Sequence, residues 1–193
     1  MAQTSTTIVG STSHKATITG TVISFSATGT EYKIASSNTT THSLASFAQF
    51  DLITVTGTTN NNRTFTVKSV AASGAHIIVE ELVTTESAGA SVSLDYTGFV
   101  TDKQQGDGYY SQVDGVHTVA YHVNSTMTGS IKMQGSLATT PTEDDYFDIS
   151  GTTFTADQST LVDSKNFTGN FVWTRAKCTA MTAGSVTKIL YNH

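Results

Sequence analysis

The densest group of chemistry-bearing side chains is Glu143-Asp144-Asp145 with Asp148, directly after Pro141. Clustered carboxylates offer the hard oxygen ligands that Ca²⁺ takes. Their spacing departs from the Asp-x-Asp-x-Asp-Gly order of an EF-hand, and Tyr146, Phe147 and Ile149 read as a loop running into a strand. The expectation is a solvated turn and no bound metal. Asp102, Asp107 and Asp114 lie in a polar, glycine-bearing stretch where acidic residues mainly keep a segment wet. No pair of carboxylates stands out for glycosidic chemistry, which depends on a separation that only the fold sets.

Histidines stand at positions 14, 42, 76, 117, 122 and 193. His117 and His122 are five apart, so on one strand they point to opposite faces and cannot share a metal without a bulge. Ser185-Val186-Thr187-Lys188 matches Ser-x-x-Lys, but that nucleophile motif needs a helix, and these residues alternate as in a strand. Gly106-Asp107-Gly108 opens like a dinucleotide loop, yet Ser111 stands where the third glycine belongs and no βαβ pattern surrounds it. Cys178 is the one cysteine, which leaves no intrachain disulfide and no cysteine pair for zinc. Trp173, Tyr146 and Phe147 can form an aromatic platform for a sugar ring, although core packing is the commoner fate of such residues. No catalytic, cofactor-binding or metal-binding residue is therefore assigned, and the chain reads as a non-enzyme without a cofactor.

The elements that must carry these residues are strands. Ile53 and Val55, Phe65 and Val67, Ile77 and Val79, and Val92 and Leu94 alternate with period two, and turn residues such as Gly57, Asn60-Asn61-Asn62 and Ser73-Gly74 separate the runs. Lys15 to Phe25 and Glu31 to Ala35 read as a hairpin. Ser43 as an N-cap, followed by apolar residues at 44, 47, 48 and 50, predicts one short helix. Strand patterns resume at Val116–Val123, Gly129–Leu137, Tyr146–Ile149, Phe167–Ala180 and Ser185–Tyr191, with the spacing of a β-sandwich. The reading is all-β with two domains. Residues 1–97 form an antiparallel meander or small barrel, 98–115 a linker or long loop, and 116–193 a jelly-roll-like sandwich.

Composition agrees with that class. The 193 residues include 37 Thr and 22 Ser but only 13% charged residues, and β-branched Thr suits a half-buried pleated surface. The net charge of −5, with ten scattered Lys and Arg, leaves no source for the counterion release that drives nucleic-acid binding. No basic region followed by an apolar stretch opens the chain, and no run of about 18 apolar residues occurs, so neither secretion by signal peptide nor a membrane partner is expected. Nearly a third of the residues are Ser or Thr, so the Asn-x-Ser/Thr triplets at Asn38, Asn62, Asn124 and Asn166 read as chance matches.

Two stretches carry a resemblance. Asp51-Leu52-Ile53-Thr54-Val55-Thr56-Gly57, the asparagine turn, Arg63 to Val70, His76 to Glu81 and Glu86-Ser87-Ala88-Gly89-Ala90-Ser91-Val92 resemble a β-module repeated in structural proteins of tailed bacteriophages. Its order is I-x-V-x-G, Asn-rich turn, T-F-T-V, I-x-V, E-x-A-G. Gly129 to Leu137, Tyr146 to Ile149, Asn166 to Ala176 and Ala183 to Ile189 are similar to a C-terminal sandwich of virion proteins from marine, cyanophage-like tailed phages. Where that family carries S-L-D-G-T-x-W-F, this chain has Ser136-Leu137-Ala138-Thr139-Thr140 and later Tyr146-Phe147. The resemblance implies a virion building block made in the host cytoplasm, in head decoration, neck, tail or fibre. Its implied partners are other virion proteins and further copies of itself. The alternative reading is a receptor- or carbohydrate-binding module on a fibre that meets a host surface glycan.

Overall fold

The computed structural model describes residues 5–109 and 115–192. In chain order the strands are β1 (Ser5–Val9), β2 (Thr12–Ser13), β3 (Ile18–Gly20), β4 (Ile23–Thr28), β5 (Glu31–Ser36), β6 (Asp51–Thr56), β7 (Thr64–Val70), β8 (His76–Val79) and β9 (Val92–Val100). They continue as β10 (Gln104–Gln105), β11 (Val116–Val123), β12 (Thr128–Ser136), β13 (Phe147–Asp148), β14 (Phe154–Thr155), β15 (Val162–Thr168), β16 (Trp173–Ala183) and β17 (Ser185–Asn192). The strands pair antiparallel, and the described residues include no α-helix, only a single 3-10 turn at Glu143–Asp145. The molecule is all-β.

The chain forms two compact units: Lys15–Phe99, and the residues before and after it, 1–14 with 100–193. In the inner unit the pairing order is β3-β9-β6-β7-β8-β5-β4. Period-two alternation sends Ile53, Val55, Phe65, Val67, Ile77 and Leu94 into a core where each is fully buried. Each such side chain contributes roughly 1.5–3 kcal/mol by leaving water. Gly57 closes β6 at a φ of 84°, and a Cβ there would lie 2.2 Å from the Ser91 carbonyl oxygen, so only glycine fits.

The outer unit is drawn from both ends of the sequence. One of its sheets runs β1-β17-β11-β15, with β2 also on β17. In the other part, β12 pairs with β13, β14 and β16, and β16 pairs with β10. Tyr121 on β11 donates a hydrogen bond to the Thr152 carbonyl at 2.8 Å and stacks 6.0 Å from Phe154 on β14, which ties the two parts through one core.

Three expectations meet a different structure. Ser43–Phe50 folds as successive turns rather than a helix. Leu44 and Phe47 are buried, but the Ser43 hydroxyl caps only the Ala45 amide and Phe50 takes a φ of 72°, which helix cannot accommodate. The N-terminal strands, read with the first domain, pair with β17 near the other end of the chain. In the segment read as a linker, 98–115, β9 runs on to Val100 and β10 pairs with β16. There the buried Thr101 exchanges bonds with Ala176 through its amide and hydroxyl, so its polarity is satisfied by backbone instead of water. Asp114 and Ser111, from the same stretch, and His193 lie outside the described residues.

Candidate functional site

The carboxylate group and two of the aromatic residues picked out of the sequence, Tyr146 and Trp173, meet on one face of the β12–β16 pair. Register sets Asp148, Gln134 and Arg175 in one row and Ser136 beside Trp173 in the next. The loop from Leu137 to Tyr146 lies over that face. Thr142 and Asp145 close its 3-10 turn, the Thr142 amide and hydroxyl both donating to Asp145 Oδ2 at 2.7 and 2.8 Å.

At the centre is Arg175, only 4% exposed. Its Nη1 and Nη2 donate to the two carboxylate oxygens of Glu143 at 2.6 and 2.8 Å, and Nε donates to Gln134 Oε1 at 2.9 Å. The guanidinium carbon lies 3.7 Å from the centre of the Tyr146 ring. This forked pairing is the geometry that suits Arg to carboxylate. It holds the Glu143 carboxyl below the usual range, chiefly through the Arg175 hydrogen bonds. Asp148 is likewise held low, first by Lys132 and also by Gln134 Nε2 at 2.9 Å. Glu143, Asp145 and Asp148 are thus each engaged by a protein donor. Among the described residues no cluster of three or more His, Cys, Asp or Glu is placed to hold a metal ion.

Trp173 is half-buried. Its Nε1 donates to the Thr139 carbonyl at 3.0 Å, the Lys103 ammonium lies 4.5 Å from the ring centre, and the Tyr109 ring packs at 5.1 Å, tilted by 58°. Phe147, 44% exposed, leans on Phe171 with ring centres 6.0 Å apart. Tyr109 is 47% and Leu137 64% exposed. The expected platform of Trp173, Tyr146 and Phe147 therefore divides: Phe147 stands opposite Gly135 on the other face of the sheet, the Tyr146 face is taken by Arg175, and Trp173 is contacted by Lys103 and Tyr109. Sequence reasoning missed Arg175, Gln134, Lys103 and Tyr109. The alternation of Trp173, Arg175 and Lys177 on β16 was the available signal.

The other candidates separate. His117 and His122 do face opposite sides of β11: His117 is buried and His122 is half-exposed. His117 Nε2 bonds the Gly169 carbonyl at 2.9 Å and Nδ1 bonds the Tyr191 hydroxyl at 2.7 Å, with buried Asp107 at 3.9 Å from Nε2. Those contacts sit among Phe167, Phe171 and Tyr191, stacked or tilted within 5.0–5.8 Å of the imidazole, and they build a core. Ser185 and Lys188 lie on strand β17 and not on the helix that the nucleophile motif needs. The amides of Gly106 and Gly108 donate to the Val172 and Phe171 carbonyls at 3.0 and 2.9 Å. A Cβ at Gly106 would sit 2.4 Å from the Phe171 oxygen, so these glycines serve backbone approach to β16 and leave no amides for a phosphate. Burial pushes the Cys178 thiol up to about 12.

In the inner unit one carboxylate organises the asparagine turn. Glu86 accepts from the Thr59 and Asn60 amides at 3.0 and 2.8 Å and from Asn61 Nδ2 at 2.6 Å, which holds its carboxyl below the usual range. Buried Asn61 also exchanges bonds with the Thr84 backbone at 2.8 and 2.9 Å. Neither a protein-family model nor a curated protein matches the chain.

Proposed function

We propose that this protein is a non-enzymatic structural component of a tailed-phage virion, docking on head, neck, tail or fibre proteins through one β unit and assembling symmetrically. In this reading the inner unit is a meander or small barrel and the outer unit a jelly-roll-like sandwich. The supporting observation is where the phage-like motif falls. Gly57, Asn61 and Glu86, from its Gly, Asn-turn and Glu positions, are the residues that close and pin the β6–β7 connection. The resemblance thus rests on residues that build the module, as a shared scaffold requires. The test is mass spectrometry of purified particles separated into heads and tails. Recovery at stoichiometric copy number in either fraction supports the reading, and synthesis during infection with absence from both fractions overturns it.

A second reading is favoured by one feature, the exposed Tyr109 ring packed on half-buried Trp173. Aromatic rings at a surface suit sugar stacking, so this patch is the glycan-binding candidate on a fibre. Glycan-array binding lost in Tyr109→Ala supports it, and silence across a broad array overturns it. Trp173→Ala is the second variant, read only if its unfolding midpoint is preserved.

A further inference from the structure

Among the described strands β15 pairs only with β11, so its other edge is open. An open edge is a template for another strand. Two backbone bonds at the ends of this pairing fix which groups face outward. The Gly169 amide donates to the Gly115 carbonyl, and the Val123 amide donates to the Leu161 carbonyl, both at 2.9 Å. Opposed residues in an antiparallel ladder alternate between bonded and non-bonded pairs. In the observed register, Val116 with Thr168 through His122 with Val162, the odd-numbered residues of β15 therefore bond to β11. The backbone groups of Val162, Ser164, Asn166 and Thr168 point away from it.

The side chains of this strand select a partner. Asp163 and Lys165 stand on the face shared with buried Tyr121 and Val119, and they pair with each other at 2.8 Å while each stays about a third exposed. If a second β15 is laid antiparallel across a twofold axis at Ser164, Val162 meets Asn166 of the second copy and Ser164 meets its own equivalent. Each of those positions has outward backbone groups, and each such pair exchanges two N–H···O bonds. The non-bonded pairs between them, where side chains approach most closely, set Asp163 against Lys165 of the second copy, and the reverse. An axis at Asp163 opposes two aspartates, and one at Lys165 opposes two lysines. Moving it further shortens the overlap. We propose that β15 is a homodimer interface, two copies joining edge to edge about Ser164 with reciprocal Asp163–Lys165 pairs. This deepens the symmetric-assembly part of the function proposed above by naming its surface. It is tested on purified protein, so the particle fractionation can fail while the dimer stands, and the reverse.

The experiment is light scattering on size-exclusion eluates of the full chain across micromolar to millimolar concentration. The expected mass is twice the 20.4 kDa of one chain. Ser164→Pro removes an outward amide and leaves the β11 ladder intact, a position where an edge strand tolerates proline, so the mass should halve with the Trp173 fluorescence of the folded unit retained. Asp163→Lys and Lys165→Asp should each be monomeric alone and should form a mixed dimer when combined, since their charges are then complementary in both crossed pairs. A wild-type chain that stays at 20.4 kDa overturns the proposal and makes Asp163 and Lys165 guards of the edge. An assembly that Ser164→Pro and the charge variants leave unchanged overturns it too.

Discussion

Arg175 shows how an ionised group is made tolerable inside a β fold. Its charge is neutralised by Glu143, its Nε–H is taken by Gln134 and its flat face is covered by Tyr146. The pair is buried on one side only, because the Glu143 side chain keeps 40% exposure against 5% for Arg175. Removing Glu143 is then the damaging change, since it leaves the charge that has no water. Glu143→Ala should cost about 1–3 kcal/mol, below the figure for a wholly buried pair because solvent can enter the vacated side; chemical denaturation checks it. The pH dependence follows in sign. The folded state holds the Glu143 carboxyl below its ordinary value of 4.5, so its stabilisation is complete above that value and is lost as pH falls through the folded one. Glu143→Gln should flatten the acid side of the stability profile. Cys178, with its thiol raised to about 12, should resist thiol reagents in the native state and react only on unfolding. At this scale the sequence revealed the participants, Glu143, Tyr146, Asp148 and Trp173, through their crowding. It did not reveal their centre, because Arg175 is one polar residue in an alternating run and its role depends on a register with Gln134 set across the sheet.

Among the elements, the regular strands β6 to β9 were legible because burial on one face imposes period two. Ile53, Val55, Phe65 and Val67 stand where the alternation placed them. The 43–50 segment misled for a physical reason: turns can bury Leu44 and Phe47 as well as a helix can, and one-face apolar spacing does not distinguish them over eight residues. The turn after β6 can be tested directly. Gly57→Ala should destabilise by more than about 3 kcal/mol, because the positive φ alone costs about 1–3 kcal/mol and the new Cβ meets the Ser91 oxygen at 2.2 Å. Thermal unfolding measures it. Glu86→Ala should accelerate amide exchange at Thr59 and Asn60, whose N–H groups it accepts, while the β6 amides stay protected. Unchanged exchange at those two sites would show that the turn holds without its carboxylate.

For the whole molecule, the informative feature is that one unit is inserted into the other. Local patterns cannot announce this, since nothing in Ser5–Val9 names Asn192 as its neighbour, and the sequence reading accordingly kept the N-terminus with the strands that follow it. Deleting residues 1–13 would uncover β17 along the edge now paired with β1 and β2. The expected result is a lower unfolding midpoint reported by Trp173, the one tryptophan, which lies on β16 of the same unit. An unchanged midpoint would mean that β1 contributes nothing to that unit. The insertion also orders events during synthesis. β1 leaves the ribosome before the inner unit and its partner β17 only after it, with Ser5 opposite Asn192. The inner unit is complete long before that and brings Ile18 against Leu94. Its folding draws together the two points where the outer unit enters and leaves it, so the closure entropy for β1 and β17 is that of a much shorter loop. The inserted unit thereby works as a kinetic clasp: a variant that slows its folding, such as Gly57→Ala, should delay the pairing of β1 with β17.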